Sequence, residues 1–202
     1  YEIMPSLVGS EMCIRDRVTA VDYTEEMLEK AKENLGKYTK YGLERVTLQR
    51  MDAQNLEFAD ETFDVVISRN LTWNLHQPER AYREWVRVLK KNGLLLNFDA
   101  NWYRYLWDEK AQQGHEKDRK NLSTSDVRDE TEGTDVAAME AIARQTPLSE
   151  KQRPEWDLTV LRASGMETEA DPEIWKEVWT KEERINNAST PMFLVEGVKK
   201  DA

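Results

Sequence analysis

From Val18 to Phe98, short apolar segments alternate with amphipathic helical ones, and this alternation limits the fold more than any other feature of the chain. Val18 to Val21 reads as a strand ending on Asp22, Val46 to Leu48 as a second ending near Asp52, and Phe63 to Ile67 as a third. The third is apolar on both faces, the pattern of a buried parallel strand. Between them, Thr24 is a good helix N-cap, with Glu25 and Glu26 in the first turn, where the helix dipole favours negative charge. Met27, Leu28, Ala31 and Leu35 follow at helical spacing, with Gly36 as a stop. Pro78 can open the next helix, whose inner stripe is Ala81, Tyr82, Trp85, Val88 and Leu89; Asn92-Gly93 ends it before a fourth strand, Leu94 to Phe98. Strand and helix in alternation predict an α/β fold with right-handed crossovers between parallel strands.

Beyond Asp99 the pattern changes. Trp102 to Lys120 reads as helical but rich in aromatic and charged residues, and Ser123 to Thr134 is polar enough to predict a mobile loop. Val136 to Arg144 and Glu155 to Ala163 are two further helices, the second ending at Gly165. Two strands, around Glu167 to Ala170 and Met192 to Val195, would close the sheet, joined by a long connection that holds Trp175 and Trp179. Trp85, Trp156, Trp175 and Trp179 are assigned to packing.

Composition removes several classes of function. A net charge of -10 over 202 residues opposes a nucleic-acid or anionic-membrane surface, because phosphates are repelled at long range. No apolar run approaches the roughly 20 residues that span a bilayer, and a cytoplasmic protein is the simplest expectation. The single cysteine, Cys13, lies near the start, and the two histidines are far apart, so no metal cluster is expected. Oligomeric state is not legible.

Ligands of open α/β sheets bind beyond the carboxyl ends of the strands, and the residues there are the site candidates. Asp22 stands where a carboxylate accepts hydrogen bonds from ribose hydroxyls, a place shared with nicotinamide dehydrogenases; an acid after a strand also commonly starts a helix. Tyr23 offers a ring to an adenine. Asp99 at the end of the fourth strand is the best-placed candidate base, ahead of His76 and His115, which read more simply as surface residues. Around these ends run SRNLTWNL, with Ser68, Arg69, Asn70, Trp73 and Asn74, and DANWYRYLW, with Asn101, Trp102, Tyr103 and Trp107. Aromatic rings with a few amides suit a small, partly apolar or cationic ligand.

In RMDAQNLEFADETFDVVIS, Asp52-Ala53 follows a strand and a short polar linker leads into FDVVIS; ERAYREWVRVLKKNGLLLNFD then supplies a helix, a turn and a strand. Together these resemble the class I S-adenosylmethionine-dependent methyltransferases (methyltransferase type 11-like), strongly over Val18 to Phe98 and loosely as far as Val195. The resemblance implies a Rossmann-like, doubly wound, mostly parallel sheet with an antiparallel last strand, and S-adenosylmethionine as cofactor. It implies cofactor contacts at Asp22, Tyr23, Asp52, Ala53 and Ser68. Arg69, Asn70, Trp73 and Asn74 would line the acceptor side, with Asn101, Trp102 and Tyr103 on the facing wall. It divides the chain into a methyltransferase domain over residues 18–198, with 102–150 a helical insertion or lid over the active site.

The family's first strand and glycine-rich loop should stand immediately before Val18, and they are missing there. Leu7 to Asp16 instead resembles the in-frame translation of a transposase adapter used in preparing sequencing libraries, so residues 1–17 are expected to be a non-native head. An ordinary short strand with a turn, Leu7-Val8-Gly9-Ser10, is the plainer reading. On the first, the chain is an N-terminally truncated methyltransferase that binds S-adenosylmethionine poorly or not at all. The function expected is methyl transfer to a small-molecule acceptor, an in-line displacement in which alignment and exclusion of water supply much of the acceleration. A nucleotide-dependent oxidoreductase and a non-catalytic binding module of the same fold are the alternatives.

Overall fold

The computed structural model describes residues 17–38 and 45–201, so the expected head, all but Arg17, lies outside the described residues. The chain divides into two compact units, Tyr1–Glu57 and Phe58–Ala202. In the first, β1 (Val18–Asp22) pairs in parallel with β2 (Val46–Arg50), joined through α1 (Glu25–Tyr38). Leu28 is its buried anchor. The helix runs past Gly36, where a stop was expected; an interior glycine costs a helix only about 1 kcal/mol.

The second unit is built on a four-stranded sheet in the order β3-β4-β6-β5, made of β3 (Phe63–Arg69), β4 (Leu89–Asp99), β5 (Met166–Asp171) and β6 (Phe193–Lys199). β3 and β4 are parallel; β6 runs antiparallel to both β4 and β5, as the resemblance implied for the last strand. Among the described strands two pairings are parallel and two antiparallel, so the sheets together are mixed, in keeping with the α/β fold and antiparallel last strand expected.

One face of this sheet is sealed by helices. α2 (Pro78–Val88) carries Pro at its first turn and buries Ala81, Tyr82, Trp85 and Val88. α5 (Glu155–Ala163) lies beside it, with Leu161 fully buried and Trp156 6.0 Å from the Tyr82 ring. Leu95, Asn97 and Asp99 alternate along β4 on the buried side. The other face is open over β3 and part of β6: Val65, Ile67 and Val198 are 44%, 58% and 39% exposed.

β4 begins five residues earlier than the sequence pattern suggested. The chain leaves α2 at Val88 and enters the strand directly; the register then slips between Phe63 and Val65, so Asn92-Gly93 sits inside an irregular strand instead of ending a helix. Asn92 takes a left-handed conformation there (φ 58°), and a Cβ at Gly93 would stand 2.8 Å from the Lys90 carbonyl. The aromatic stretch after Asp99 also departs from one continuous helix. It forms a 3-10 turn at Arg104–Leu106 and only then α3 (Glu109–Leu122), capped by Asp108. α4 (Val136–Ala143) follows. The Trp175–Trp179 connection contains two short helices, α6 (Trp175–Val178) and α7 (Lys181–Asn186), the latter with a capping box from Thr180 and Glu183. The polar Ser123–Thr134 segment is pinned at several points: Arg119 donates to Asp129, and the buried Asn186 side chain bonds Glu130 N and Arg128 O.

Glu169 on the edge strand β5 is paired with Glu196 on its neighbour β6. Burial, and then the adjoining Glu169 and Asp171 carboxyls, push the Glu196 carboxyl above its ordinary value. A carboxyl raised by folding favours the folded state while protonated and opposes it once ionised, so its contribution falls as pH rises through its folded pKa. Glu196→Gln is accordingly expected to raise the thermal midpoint at pH 7, with the gain shrinking toward pH 4; calorimetric scans across that range check it.

Candidate active site

The carboxyl ends of β3 and β4 carry most of the candidate acceptor-side residues, and their backbones are unusual. Asn70, just past β3, and Tyr103, just past β4, both adopt left-handed conformations (φ 53° and 62°). Asparagine tolerates this region, but an aromatic residue there is rare outside strained or functional segments. Asn70 is held by a hydrogen bond from its backbone N–H to Phe98 O (2.8 Å), and its carbonyl accepts from Trp73 Nε1 (3.0 Å). Trp73 then stacks obliquely on Tyr103, with ring centroids 5.3 Å apart. The two strand-end loops thereby meet through their rings.

Three polar atoms at these strand ends are buried without a hydrogen-bond partner: Ser68 Oγ on β3, Asn70 Oδ1 after it, and Trp102 Nε1 after β4. An unsatisfied buried polar group costs about 1–3 kcal/mol, so each of these atoms calls for a partner that the protein's own contacts do not supply. The other candidates are engaged within the protein. Arg69 forms an ion pair with Glu183 (2.8 Å). The Asn101 amide exchanges two hydrogen bonds with the backbone of Arg153 (2.9 and 3.1 Å). Asn74 and His76 are exposed. Asn101 also borders a cleft of about 330 Å³ lined with Arg104, Asp108, Gln152, Arg153 and Thr190.

Asp99 occupies a different environment from the open one expected of a base. Its carboxylate is fully buried and accepts from Ala100 N (2.9 Å), Trp73 N (3.0 Å) and Arg153 Nη1 (2.7 Å). Arg153 simultaneously clamps Asp157 through Nη2 (2.7 Å) and Nε (2.9 Å). Tyr82 donates a short hydrogen bond to Asp157 and accepts from Asn97 Nδ2 (2.8 Å), whose carbonyl oxygen accepts from Thr72 (3.0 Å). Burial pushes the Asp99 carboxyl upward against the opposing pull of Arg153. Burial and the Asp157 charge drive the Tyr82 hydroxyl well above its usual range, so it stays a donor. Burial works against the Arg153 charge, but the two carboxylates hold it protonated. With no open side, Asp99 positions Trp73 through its backbone and has no reach to a proton on a ligand.

In the first unit, Asp22 closes β1 and its Oδ1 accepts from both Thr24 N and Thr24 Oγ1 (2.8 and 2.9 Å), the helix-starting role. Tyr23 is 66% exposed, with the Arg50 guanidinium 5.8 Å from its ring centre. Asp52 sits in a tight turn, where Oδ1 accepts from Gln54 N (2.8 Å), and Ala53 is half-buried beside it. Arg153, Asp157, Tyr82 and Asn97 were not singled out in the sequence. The available signals were an amide inside the apolar run LLLNF and an Arg and Asp four residues apart around Pro154.

A parallel β3-β4 pair is extended by an antiparallel β6, and polar side chains gather at the carboxyl ends of β3 and β4. A family model described as a methyltransferase domain matches residues 6–97, beginning inside the expected head. Phosphatidylethanolamine N-methyltransferase of Cereibacter sphaeroides is 44% identical over 80 residues, covering 39% of this chain and 38% of that protein. Demethylmenaquinone methyltransferase of Desulfitobacterium hafniense is 35% identical over 86 residues, 41% of this chain and 32% of its own length. Among solved structures, the YcgJ protein of Bacillus subtilis superposes with a TM-score of 0.56 at 18% identity, over 93% of this chain and 84% of that one. The cyclase SpnF does so with 0.55 at 16%, over 93% and 67%. The chain therefore carries a match to a methyltransferase domain over residues 6–97 and shares its fold with these solved structures. It spans well under half the length of the two curated relatives described. Among the described residues no group of three or more His, Cys, Asp or Glu side chains is placed to hold a metal ion, and no helix is long and apolar enough to cross a membrane.

Removing one partner of a buried ion pair strands the others. Arg153→Met is expected to cost about 3–5 kcal/mol in urea unfolding, and Tyr82→Phe about 1–3 kcal/mol. Equal stability of the Arg153 variant and the parent would contradict the role given to this network.

Proposed function

We propose that this protein transfers a methyl group from S-adenosylmethionine to a small-molecule acceptor. The observation that carries the reading is the trio of unpartnered buried polar atoms, Ser68 Oγ, Asn70 Oδ1 and Trp102 Nε1, at the carboxyl ends of β3 and β4. Their mixture of donor and acceptor fits a ligand with both. The relatives' names, a lipid amine N-methyltransferase and a demethylmenaquinone methyltransferase, support a small-molecule acceptor and give no support to an oxidoreductase.

The residues present fit the cofactor by chemistry. Asp22, with Oδ2 outside the Thr24 contacts, would accept from ribose hydroxyls, and Tyr23 would lay its exposed ring on the adenine. Asp52 and Ala53 would meet the adenine edge, and Ser68 the amino-acid end. S-adenosylmethionine supplies an electrophilic methyl on a positively charged sulfur. The chain's own contribution is alignment: Asp99, locked by Arg153, fixes the Trp73 backbone, while Asn70 and Tyr103 hold the facing loops. Segment 102–150 carries the facing wall and acts as the cover that excludes water. Arg69, Asn74, Asn101 and Trp102 complete the acceptor side. Asp99 is a positioning residue in this scheme.

β3 is an edge strand of its sheet among the described residues, with Val65 and Ile67 exposed on the face opposite Ser68. The 202-residue chain is therefore expected to hold the cofactor weakly. Calorimetric titration with S-adenosylhomocysteine tests this: dissociation constants above the micromolar range are expected, weakened a further tenfold or so by Asp22→Ala or Asp52→Ala, about one charged hydrogen bond each. Unchanged affinity in both variants would remove these residues from the cofactor site, and tight binding by the parent would overturn the weak-binding expectation.

A further inference from the structure

Four aromatic rings form a continuous row across the second unit, starting at the acceptor side. Trp73 contacts Tyr103 (centroids 5.3 Å), Tyr103 contacts Tyr105 (5.8 Å), and Tyr105 stacks on His115 (3.9 Å, planes 2° apart). Each of the four is half-buried, so the row keeps accessible surface. Two residues in contact with the row carry acceptor oxygens. Asn70, whose backbone carbonyl accepts from Trp73 Nε1 (3.0 Å), has a buried side-chain Oδ1 without a partner, and Tyr105 donates its hydroxyl to the Glu140 carboxylate (3.0 Å).

We propose that this row recognises an amine, so that the acceptor is an alkylamine methylated at nitrogen. Ring faces attract a cation through their negative quadrupole, and Asn70 Oδ1 and Glu140 can only accept hydrogen bonds, which an N–H supplies. A flat phenolic acceptor is served less well. The first two ring pairs are tilted by 38° and 37° and already touch, which leaves no parallel slot for a third plane. The protein already sets cations over neighbouring rings, Arg144 over Trp107 and Arg153 over Phe193, while Trp73 has none among the described residues. The facing cation is Arg119, which is committed to Asp129 and to the Asn186 carbonyl. Burial, then Arg119, lowers the His115 pKa, so the ring stays neutral and adds no repulsion.

An ammonium bound over the rings would first give one N–H proton to water, because only the neutral amine has a lone pair. That lone pair would attack the methyl carbon, the carbon–sulfur bond would break with its electrons passing to sulfur, and the positive charge would pass from sulfur to nitrogen. A surface that favours a cation therefore favours capture of the ammonium acceptor and formation of the methylated ammonium product.

This rests on the methyl-transfer reading for its meaning, but its test needs no cofactor. The full chain, labelled with 5-fluorotryptophan and with Trp73 assigned through Trp73→Phe, is titrated with trimethylammonium, tetramethylammonium, phenol and acetate at constant ionic strength and followed by fluorine NMR. Both ammonium ions are expected to shift the Trp73 resonance saturably, at least about fivefold more tightly than phenol or acetate. Asn70→Gly, compatible with the left-handed backbone, is expected to weaken trimethylammonium about threefold or more and leave tetramethylammonium, which has no N–H, unchanged. Phenol binding as tightly as the amines overturns the proposal, as does a Trp73 resonance that no ammonium ion moves while the other fluorotryptophan signals remain dispersed. A silent Trp73 resonance while Asp22→Ala and Asp52→Ala still weaken S-adenosylhomocysteine would overturn the amine site and leave the cofactor reading standing; a Trp73 response with both variants binding like the parent would do the reverse.

Discussion

The ion pairs made by Arg153 are the interaction on which the rest of the second unit depends. One guanidinium, almost wholly buried, is shared by Asp99 at the end of β4 and Asp157 in α5. Two acidic side chains share one cation in the buried interior, and Tyr82, Ala100 N and Trp73 N donate the further hydrogen bonds that such burial requires. The network therefore joins a strand end, two helices and the loop that carries Trp73 in one arrangement. Its value lies in specificity of geometry, since apolar residues could fill the same volume without demanding any particular orientation.

That geometry reaches the site through backbone atoms. Asp99 holds the Trp73 amide, Asn97 holds Thr72 at the start of the same 3-10 turn, and residue 153 holds the Asn101 side chain. Asn70 and Tyr103 then hold left-handed conformations that an isolated loop would abandon. A rigid polar core beneath and strained loops above is an arrangement suited to a reaction governed by alignment. The unpartnered atoms of Ser68, Asn70 and Trp102 lie where that alignment would act.

Much of the second unit was legible because local chemistry and global fold agree there. α5 runs over Glu155–Ala163 as read, since Pro154 and Gly165 bound it on both sides; the apolar stripe of α2 is buried residue for residue. Where the reading failed, a non-local partner had overridden a local signal. Asn92-Gly93 looks like a helix stop, yet pairing with β3 draws the chain into a strand from Leu89. Asp99 looks like an open acid at a strand end, and nothing local announces that a guanidinium 54 positions later closes over it.

The sequence by itself determined the order of strands and helices and the set of polar and aromatic residues gathered at the strand ends, because periodicity and turn chemistry are local properties. Only the tertiary structure decided what those residues do. It committed Asp99 to Arg153, left Ser68, Asn70 and Trp102 without partners, and joined Trp73 to His115 through two tyrosines. The physical reason is that a polar side chain's role depends on which groups share its low-dielectric surroundings, and chain folding sets those neighbours across separations that no sequence window contains.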